Sequence, residues 1–317
     1  MNLTKYILLN RNGYGSNFNE IYIDYANNII KKKCNNDYGL KKINYEIKIY
    51  KFIIENKIDF PIPKIYSIED NGYTMHFFVS HMPLYKIYNS LTQPNIILNK
   101  IYILLEKLHK CQKKTITQDE YYSNLNLEIY SKIIERYSMI QPIINKYYFI
   151  KKVNNIEIIP FFQLIEKIKT EIFKIVEKKT DYYLVPIHGD CQFNNILYNV
   201  ENNDIVFIDP RGYYGDYEIF GIEEYDMAKI NFALSGYDEF DNRDIDYLII
   251  KGDNIEIIIN AFDKKILQKK SLDILLMLTI WLGNSHCFIN TEKKAVYSYY
   301  IAMYLGSLYF NHVDPVI

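Results

Sequence analysis

The apolar pattern of the chain changes between Pro83 and Pro94, and this change points to the fold class. Before Pro83, short apolar or β-branched runs alternate with turn residues, as in the strands of a small sheet. The runs predicted as strands are Tyr6–Leu9, Glu20–Tyr25, Asn28–Lys32, Ile65–Ile68 and Tyr73–Val79. After Pro94, apolar residues recur at three- and four-residue steps, which indicates helices. We therefore predict an α+β fold, in which a small five-stranded antiparallel sheet precedes a mainly helical region.

One helix interrupts the predicted sheet. An apolar stripe predicts an amphipathic helix over Leu40–Glu55, and its members are Ile43, Ile47, Tyr50 and Ile54. The change of pattern divides the chain into an N-terminal domain, residues 1–85, and a C-terminal domain, residues 86–317.

Short strands are also predicted within the helical domain. Their bounds are Tyr182–Ile187, Asn195–Tyr198 and Ile205–Ile208. The rest of the domain is predicted to be helical, and its most apolar segments, Ile274–Leu282 and Ala295–Leu308, are typical of buried core helices.

Composition and charge exclude several classes of protein. The chain has 317 residues, 49% hydrophobic and 24% charged, which is typical of a folded globular protein. Its formal net charge of -1 argues against a nucleic-acid-binding protein, which normally carries a basic face. The basic run Lys31–Lys33 is either a local phosphate- or nucleic-acid-binding patch or, as is more usual for a run of charges, a solvated face. No nucleic-acid partner is predicted.

The cysteines and the apolar runs bear on the compartment. The four cysteines lie at positions 34, 111, 191 and 287, too scattered for a zinc site or a disulfide framework. The longest apolar run, Ile274–Leu282, is too short to cross a bilayer. We therefore predict a cytoplasmic protein without a membrane partner.

A cluster of polar residues between the predicted strands indicates the chemistry. Asp190 is followed five residues later by Asn195, and Asp209 comes directly after the apolar run Ile205–Ile208. Phosphoryl transfer needs a carboxylate to orient the attacking hydroxyl and oxygen ligands to hold Mg²⁺ on the nucleotide phosphates. Singly, each residue could equally be structural, as a turn cap or the end of a strand. Together, at these offsets, they predict a kinase that uses ATP and Mg²⁺.

The run His188-Gly189-Asp190, four residues and then Asn195 resembles the catalytic loop of the aminoglycoside phosphotransferase and choline kinase family. The family is related in fold to protein kinases, so the resemblance implies a two-lobed kinase-like fold. It also implies that Asp190 is the catalytic base, that Asn195 and Asp209 bind the metal, and that His188 organises the loop. The sequence from Asp209 to Gly212 is similar to a subgroup that acts on sugars or polyols of surface-glycan pathways.

The N-terminal domain contains candidate phosphate-binding residues. Glycines in the segment Gly13-Tyr14-Gly15-Ser16 could place backbone amides over phosphate oxygens, although Gly-rich hairpin turns are also common. By resemblance, Gly13, Gly15 and Ser16 cover the phosphates, and Lys31 contacts them, with Lys33 as second choice. Glu46 is the predicted partner of this lysine; alternatively it is a surface residue paired with Lys42.

Further candidates are the hinge and the acceptor site. Phe78 and His81 belong to a segment that would bind adenine through its backbone, or that is an ordinary edge strand and linker. Arg211 would hold a phosphate or carboxylate of the substrate, or would brace the loop. Tyr237 and Asp238 would form a wall of the acceptor site. By resemblance to the wider family, the acidic segment 216–246 would receive a cationic acceptor; alternatively it is a solvated face.

The sequence thus predicts transfer of the γ-phosphoryl group of ATP to a hydroxyl of a small molecule. A sugar or polyol is the first choice of acceptor, and choline, another amino alcohol or an aminoglycoside is the alternative. A nucleotide-binding module without turnover is the alternative from another class. A protein kinase is disfavoured because no Ala-Pro-Glu sequence follows Asp209. The oligomeric state is not predicted.

Overall fold

The structure is a computed structural model that describes residues 6–9, 18–263 and 265–311. The α-helices are α1 Asp37–Glu55, α2 Pro94–Lys110, α3 Gln118–Asn126, α4 Lys132–Ile144, α5 Phe161–Val176, α6 Glu223–Leu234, α7 Tyr237–Asn242, α8 Leu272–Asn284 and α9 Glu292–Asn311. The strands are β1 Ile7–Leu8, β2 Asn19–Asp24, β3 Ile29–Cys34, β4 Ile65–Glu69, β5 Gly72–His76, β6 Met82–Pro83, β7 Lys114–Thr115, β8 Lys152–Val153, β9 Ile156–Glu157, β10 Tyr183–Pro186, β11 Ile196–Asn199, β12 Asp204–Phe207, β13 Tyr213–Tyr214, β14 Tyr217–Glu218, β15 Phe220–Gly221, β16 Ile249–Lys251 and β17 Asn254–Glu256.

The chain folds into two compact units. The first contains the described residues of Met1–Lys114 and Leu184–Asp226, and the second those of Thr115–Tyr183 and Met227–Ile317. The boundary predicted between residues 85 and 86 lies inside the first unit. The division of the chain into two lobes at that position stays a prediction.

The first unit begins with the predicted antiparallel sheet. Its five strands have the order β1-β2-β3-β5-β4, which confirms the five-stranded prediction. The last strand ends at His76, earlier than the predicted Val79. Helix α1 follows β3 after an N-cap in which the Asn36 side chain accepts the Gly39 N–H at 2.9 Å.

Helix α1 covers one face of this sheet. Its apolar stripe, with Ile43, Ile47 and Tyr50, forms a buried cluster with Tyr73 and Met75 of β5. Burial of each such side chain contributes roughly 1.5–3 kcal/mol. Ile30 and Cys34, two even-numbered residues of β3, pack against the same cluster. Because side chains alternate across a strand, the even face of β3 is the one that meets α1.

The rest of the first unit supports the polar cluster identified in the sequence. Strands β11 and β12 form an antiparallel hairpin in which Ile196 pairs with Phe207, and β6 adds to its edge through β11. Strand β10 pairs with β15, and β13 pairs with β14. Residues 188–195 therefore link two short ladders, and Asp209 lies two residues beyond the end of β12.

The second unit has a helical core and a small sheet. Helix α8 packs against α5 and α9, and its Trp281 is fully buried. The four-stranded sheet β16-β17-β8-β9 corrects the prediction that this part of the chain is entirely helical. Its turns contain Asn154 and Asn155 at φ 49° and 66°, and Gly252 at φ 61°, a conformation that Asn and Gly adopt most readily. Among the described residues, no helix has both the length and the apolar character needed to cross a membrane.

Candidate active site

The loop that contains Asp190 is held by one buried carboxylate. Asp226, in the first turn of α6, accepts the backbone N–H groups of His188 at 2.9 Å and Gly189 at 2.6 Å. It also lies 2.9 Å from Nε2 of His109, at the end of α2. Burial raises the pKa of Asp226, but the hydrogen bond from His109, the electrostatic interactions with His109 and His188, and the N–H of Gly189 together hold this pKa below its usual value. Asp226 is therefore an ionised anchor for the loop.

His188 links this loop to the segment that leads to Asp209. Its Nδ1 atom accepts the backbone N–H of Asp190 at 3.2 Å, and its Nε2 atom donates to the carbonyl of Ile208 at 3.1 Å. One ring nitrogen accepts and the other donates, so the ring is neutral. Burial lowers the pKa of His188, in agreement with this assignment. His188 is thus a structural bridge between the backbone of the Asp190 loop and the backbone just before Asp209.

Asp190 and Asn195 are in direct contact. The Asn195 amide nitrogen donates to the backbone carbonyl of Asp190 at 2.9 Å and to its carboxylate at 3.0 Å. The carbonyl of Asn195 accepts the N–H of Ile208 at 3.0 Å, which brings Asn195 next to the segment that ends at Asp209. The predicted catalytic base and the two predicted metal ligands therefore lie on two adjacent pieces of backbone in the first unit.

Asp209 is held by residues far away in the sequence. Its Oδ1 atom lies 3.0 Å from Nζ of Lys32, and Lys32 also bonds both carboxylate oxygens of Glu46 at 2.9 Å. Burial lowers the pKa of Lys32, but the charges of Asp209 and Glu46 outweigh it and raise this pKa, so the side chain is a permanent cation. Asp209 has φ 53°, a left-handed conformation that a residue other than glycine seldom adopts.

The structure corrects the choice of lysine. Lys31 does not meet Glu46; it bonds Glu69 of β4 at 2.7 Å, on the other face of the sheet. Lys33 shares the face of Lys31, because side chains alternate along β3. Lys32 lies on the face that meets α1 and is the partner of Glu46. Glu46 itself is buried and bonded to Lys32, so it is not the surface residue of the alternative interpretation.

No described contact joins the remaining predicted nucleotide-binding residues to Lys32, Glu46 or Asp209. Gly13, Gly15 and Ser16 lie outside the described residues. Phe78 and His81 belong to the connection between β5 and β6, and the centroids of their rings are 5.0 Å apart. His81 also lies 3.1 Å from the carboxylate of Asp204. Adenine binding by this segment stays a prediction.

Arg211 is fixed against two aromatic rings. Its guanidinium donates to the hydroxyl of Tyr225 at 2.6 Å and lies 4.1 Å from the ring centroid of Tyr213. Its backbone N–H donates to the carbonyl of His188 at 2.8 Å. These contacts favour the bracing role that the sequence left open, and the substrate role stays a prediction.

Tyr237 and Asp238 lie in the interior of the second unit. Tyr237 is 6% exposed and stacks on Phe232 at 4.0 Å, and Asp238 is fully buried. Side chains packed in this way have almost no surface to offer a ligand. The structure therefore does not support their predicted contact with an acceptor.

The residues present fit a hydrated Mg²⁺ ion. The amide nitrogen of Asn195 is bonded to Asp190, so its Oδ1 atom is the part of the side chain suited to a cation. Asp209 adds a carboxylate, which is the ligand type that Mg²⁺ prefers. Within the described residues, no group of three or more His, Cys, Asp or Glu side chains could hold a metal. An Asn and an Asp plus water and phosphate oxygens is the set expected for a metal that arrives with the nucleotide.

Lys32 and Tyr73 were not predicted from the sequence. Lys32 could have been found from the face of β3, because Ile30 and Cys34 flank it at two-residue steps and are apolar. Tyr73 pairs with Lys32 across β3 and β5, and its hydroxyl donates to Glu46 at 2.7 Å. Strand register carries this second contact, and no local pattern indicates it.

Comparison with known protein families found one partial match. The model of the Ecdysteroid kinase-like family matches residues 98–210. A search of curated proteins found no match.

Similar solved structures cover 96–98% of the chain. The ADP-bound aminoglycoside phosphotransferase APH(2'')-Ib is 14% identical, with a TM-score of 0.54 over 98% of this chain and 95% of that one. A streptomycin–ATP complex of APH(2'')-IIa is 15% identical, with a TM-score of 0.53 over 96% and 93%. An ethanolamine kinase of Plasmodium vivax is 15% identical, with a TM-score of 0.51 over 98% and 83%. The chain therefore has the α+β fold of these protein-kinase-like phosphotransferases, which confirms the predicted fold class.

Proposed function

We propose that this protein is a kinase that transfers the γ-phosphoryl group of ATP to a hydroxyl of a small molecule. The observation that carries the proposal is a pair of side-chain clusters in the first unit that one backbone hydrogen bond joins. Asp190 touches Asn195, and Asp209 touches the buried Lys32–Glu46 pair. The backbone bond between Ile208 and Asn195 joins them. Phosphoryl transfer depends mainly on positioning and charge neutralisation, and these side chains supply both.

Each side chain has a role in this reaction. Asp190 orients the acceptor hydroxyl and accepts its proton, and Asn195 restrains the Asp190 carboxylate by a 3.0 Å hydrogen bond. Lys32 binds nucleotide phosphates, in place of the Lys31 first chosen, and Glu46 keeps it charged and oriented. Asn195 and Asp209 hold Mg²⁺, which neutralises phosphate charge when bound.

We propose a sugar or polyol as the acceptor, on the basis of the Asp209-Pro210-Arg211-Gly212 sequence and its resemblance to a surface-glycan subgroup. Choline, another amino alcohol or an aminoglycoside is the alternative, because the similar solved structures include an ethanolamine kinase and aminoglycoside phosphotransferases. Under either choice, Arg211 is a candidate specificity residue.

The test is transfer of labelled γ-phosphate from Mg²⁺–ATP to a panel of sugars, polyols, amino alcohols and aminoglycosides. Asp190→Asn should lower turnover by about 10²–10⁴-fold, the usual contribution of a general base, while ATP binding persists. Asp59→Asn is the matched control, since the Asp59 side chain is 89% exposed. Equal turnover by wild type and Asp190→Asn would overturn the catalytic assignment. ATP binding without transfer to any acceptor would favour a nucleotide-binding module.

A further inference from the structure

Two buried tyrosines adjoin the Lys32–Glu46–Asp209 cluster on the side of helix α1. Tyr73, the neighbour of Lys32 on β5, donates its hydroxyl to Oε2 of Glu46 at 2.7 Å. Tyr50 lies four residues after Glu46 on α1, and its hydroxyl accepts the backbone N–H of Asp209 at 3.2 Å. Each tyrosine therefore bonds a different member of the cluster.

The two tyrosines also support each other. Both are no more than 1% exposed, and their rings meet edge to face with centroids 5.9 Å apart. A buried hydroxyl is costly unless it is hydrogen-bonded, and a phenyl ring would fill the same space without that cost. The hydroxyls are thus the part of these side chains that packing alone does not explain.

Burial raises the pKa of both phenols well above the usual value, and the carboxylates of Asp209 and Glu46 act in the same direction. Both hydroxyls therefore stay protonated over the whole physiological range. Tyr73 is a constant donor to Glu46, which fixes the carboxylate that in turn holds Lys32. Tyr50 satisfies the N–H of Asp209, whose left-handed backbone at φ 53° is a strained conformation for a residue other than glycine.

We infer that Tyr73 and Tyr50 are positioning residues with separate tasks. Tyr73 acts through Glu46 on Lys32 and sets affinity for nucleotide phosphates. Tyr50 acts through the Asp209 backbone and sets the direction of the metal-binding carboxylate. The inference rests on the proposed kinase function and adds two residues to its site.

The separate tasks predict different binding defects. Binding of ADP, with and without Mg²⁺, is measured by calorimetry for Tyr73→Phe and Tyr50→Phe. Tyr73→Phe should weaken ADP by about fivefold to tenfold under both conditions, the effect of one hydrogen bond. Tyr50→Phe should weaken it by a similar factor only when Mg²⁺ is present. Tyr300→Phe is the matched control, because its hydroxyl bonds only the Tyr147 carbonyl, in the second unit, among the contacts described.

A second readout does not depend on nucleotide. Hydrogen exchange of the Asp209 amide should be faster in Tyr50→Phe than in Tyr73→Phe or Tyr300→Phe, because only the first removes its acceptor. The positioning role is overturned if the three variants lose the same amount of thermal stability and all bind ADP as tightly as wild type does. Failure of the wild type to bind ADP at all would instead remove the proposed function and, with it, this inference.

Discussion

The loop around Asp190 and the segment around Asp209 carry the two proposed catalytic carboxylates, but they are held differently. The Asp190 side chain is bonded to Asn195, five residues away, and the loop backbone is anchored on one buried residue, Asp226. Asp209 is bonded to Lys32 and Tyr50, which are 177 and 159 residues away. The Asp190 side chain is therefore held by a local contact and its loop by a residue 37 to 38 positions away, whereas Asp209 depends on the packing of α1 and β3.

The largest expected effect comes from removing the cation beside Asp209. Lys32→Met leaves the buried Glu46 and the partly buried Asp209 without their shared partner, which should lower the free energy of unfolding by about 3–5 kcal/mol. It should also abolish measurable ADP binding. Urea denaturation and calorimetry check the two results.

Lys31→Met is the control for this experiment. It removes the neighbouring lysine of the same strand, whose ion pair with Glu69 is partly exposed and contributes about 0–1 kcal/mol. Similar losses of stability and of ADP binding in the two variants would contradict the assignment of the phosphate contact to Lys32 alone, and loss of ADP binding only in Lys31→Met would restore Lys31.

This contrast explains how far the sequence could predict the site. Asp190, Asn195 and Asp209 stand at fixed offsets, so a local pattern was enough to find them. The choice between Lys31 and Lys32 depends on which face of β3 meets α1, and the predicted Lys31 lies on the opposite face.

The same limit applied to the rest of the fold. The five strands and α1 have clear periodicities and were found, apart from their ends. The sheet β16-β17-β8-β9 was missed because its strands have only two or three residues, too few to show alternation. Tyr237 and Asp238 were placed by resemblance alone, and their burial depends on packing within the second unit.

An intermediate effect is expected where each segment uses a glycine in a left-handed conformation. A Cβ at Gly212 would lie 2.4 Å from the Tyr45 carbonyl oxygen, while a Cβ at Gly189 would lie 3.0 Å from Cβ of Arg211. Both have positive φ, at 73° and 77°. Backbone strain alone should cost roughly 1–3 kcal/mol, which is the loss of stability expected for Gly189→Ala. Gly212→Ala should destabilise the protein by more than this, because the clash with Tyr45 adds to the strain.

Gly252→Ala separates backbone strain from steric clash as causes of instability. Gly252 has φ 61°, and nothing lies within 4 Å of an added Cβ, so its variant reports strain without a steric clash. Urea midpoints should rank Gly212→Ala as the least stable and Gly252→Ala as the most stable of the three. If Gly212→Ala matched Gly252→Ala, α1 would not be closely packed on the Asp209 segment.

The smallest effect is a pH dependence that belongs to the loop. Burial lowers the pKa of His188, against the opposing influence of Asp226, Asp190 and Asp209, so the folded protein binds a proton less readily than the unfolded chain. The stability from neutral His188 is complete above the unfolded pKa of about 6.5 and is lost as pH falls toward the folded value. The slope should not exceed about 1.4 kcal/mol per pH unit, the value for one proton. Urea denaturation of wild type and His188→Gln between pH 7.5 and 5 measures it, since the variant cannot take up this proton. Parallel pH profiles of the two proteins would show that His188 is not held neutral, and the bridge from Asp190 to Ile208 would then need another explanation.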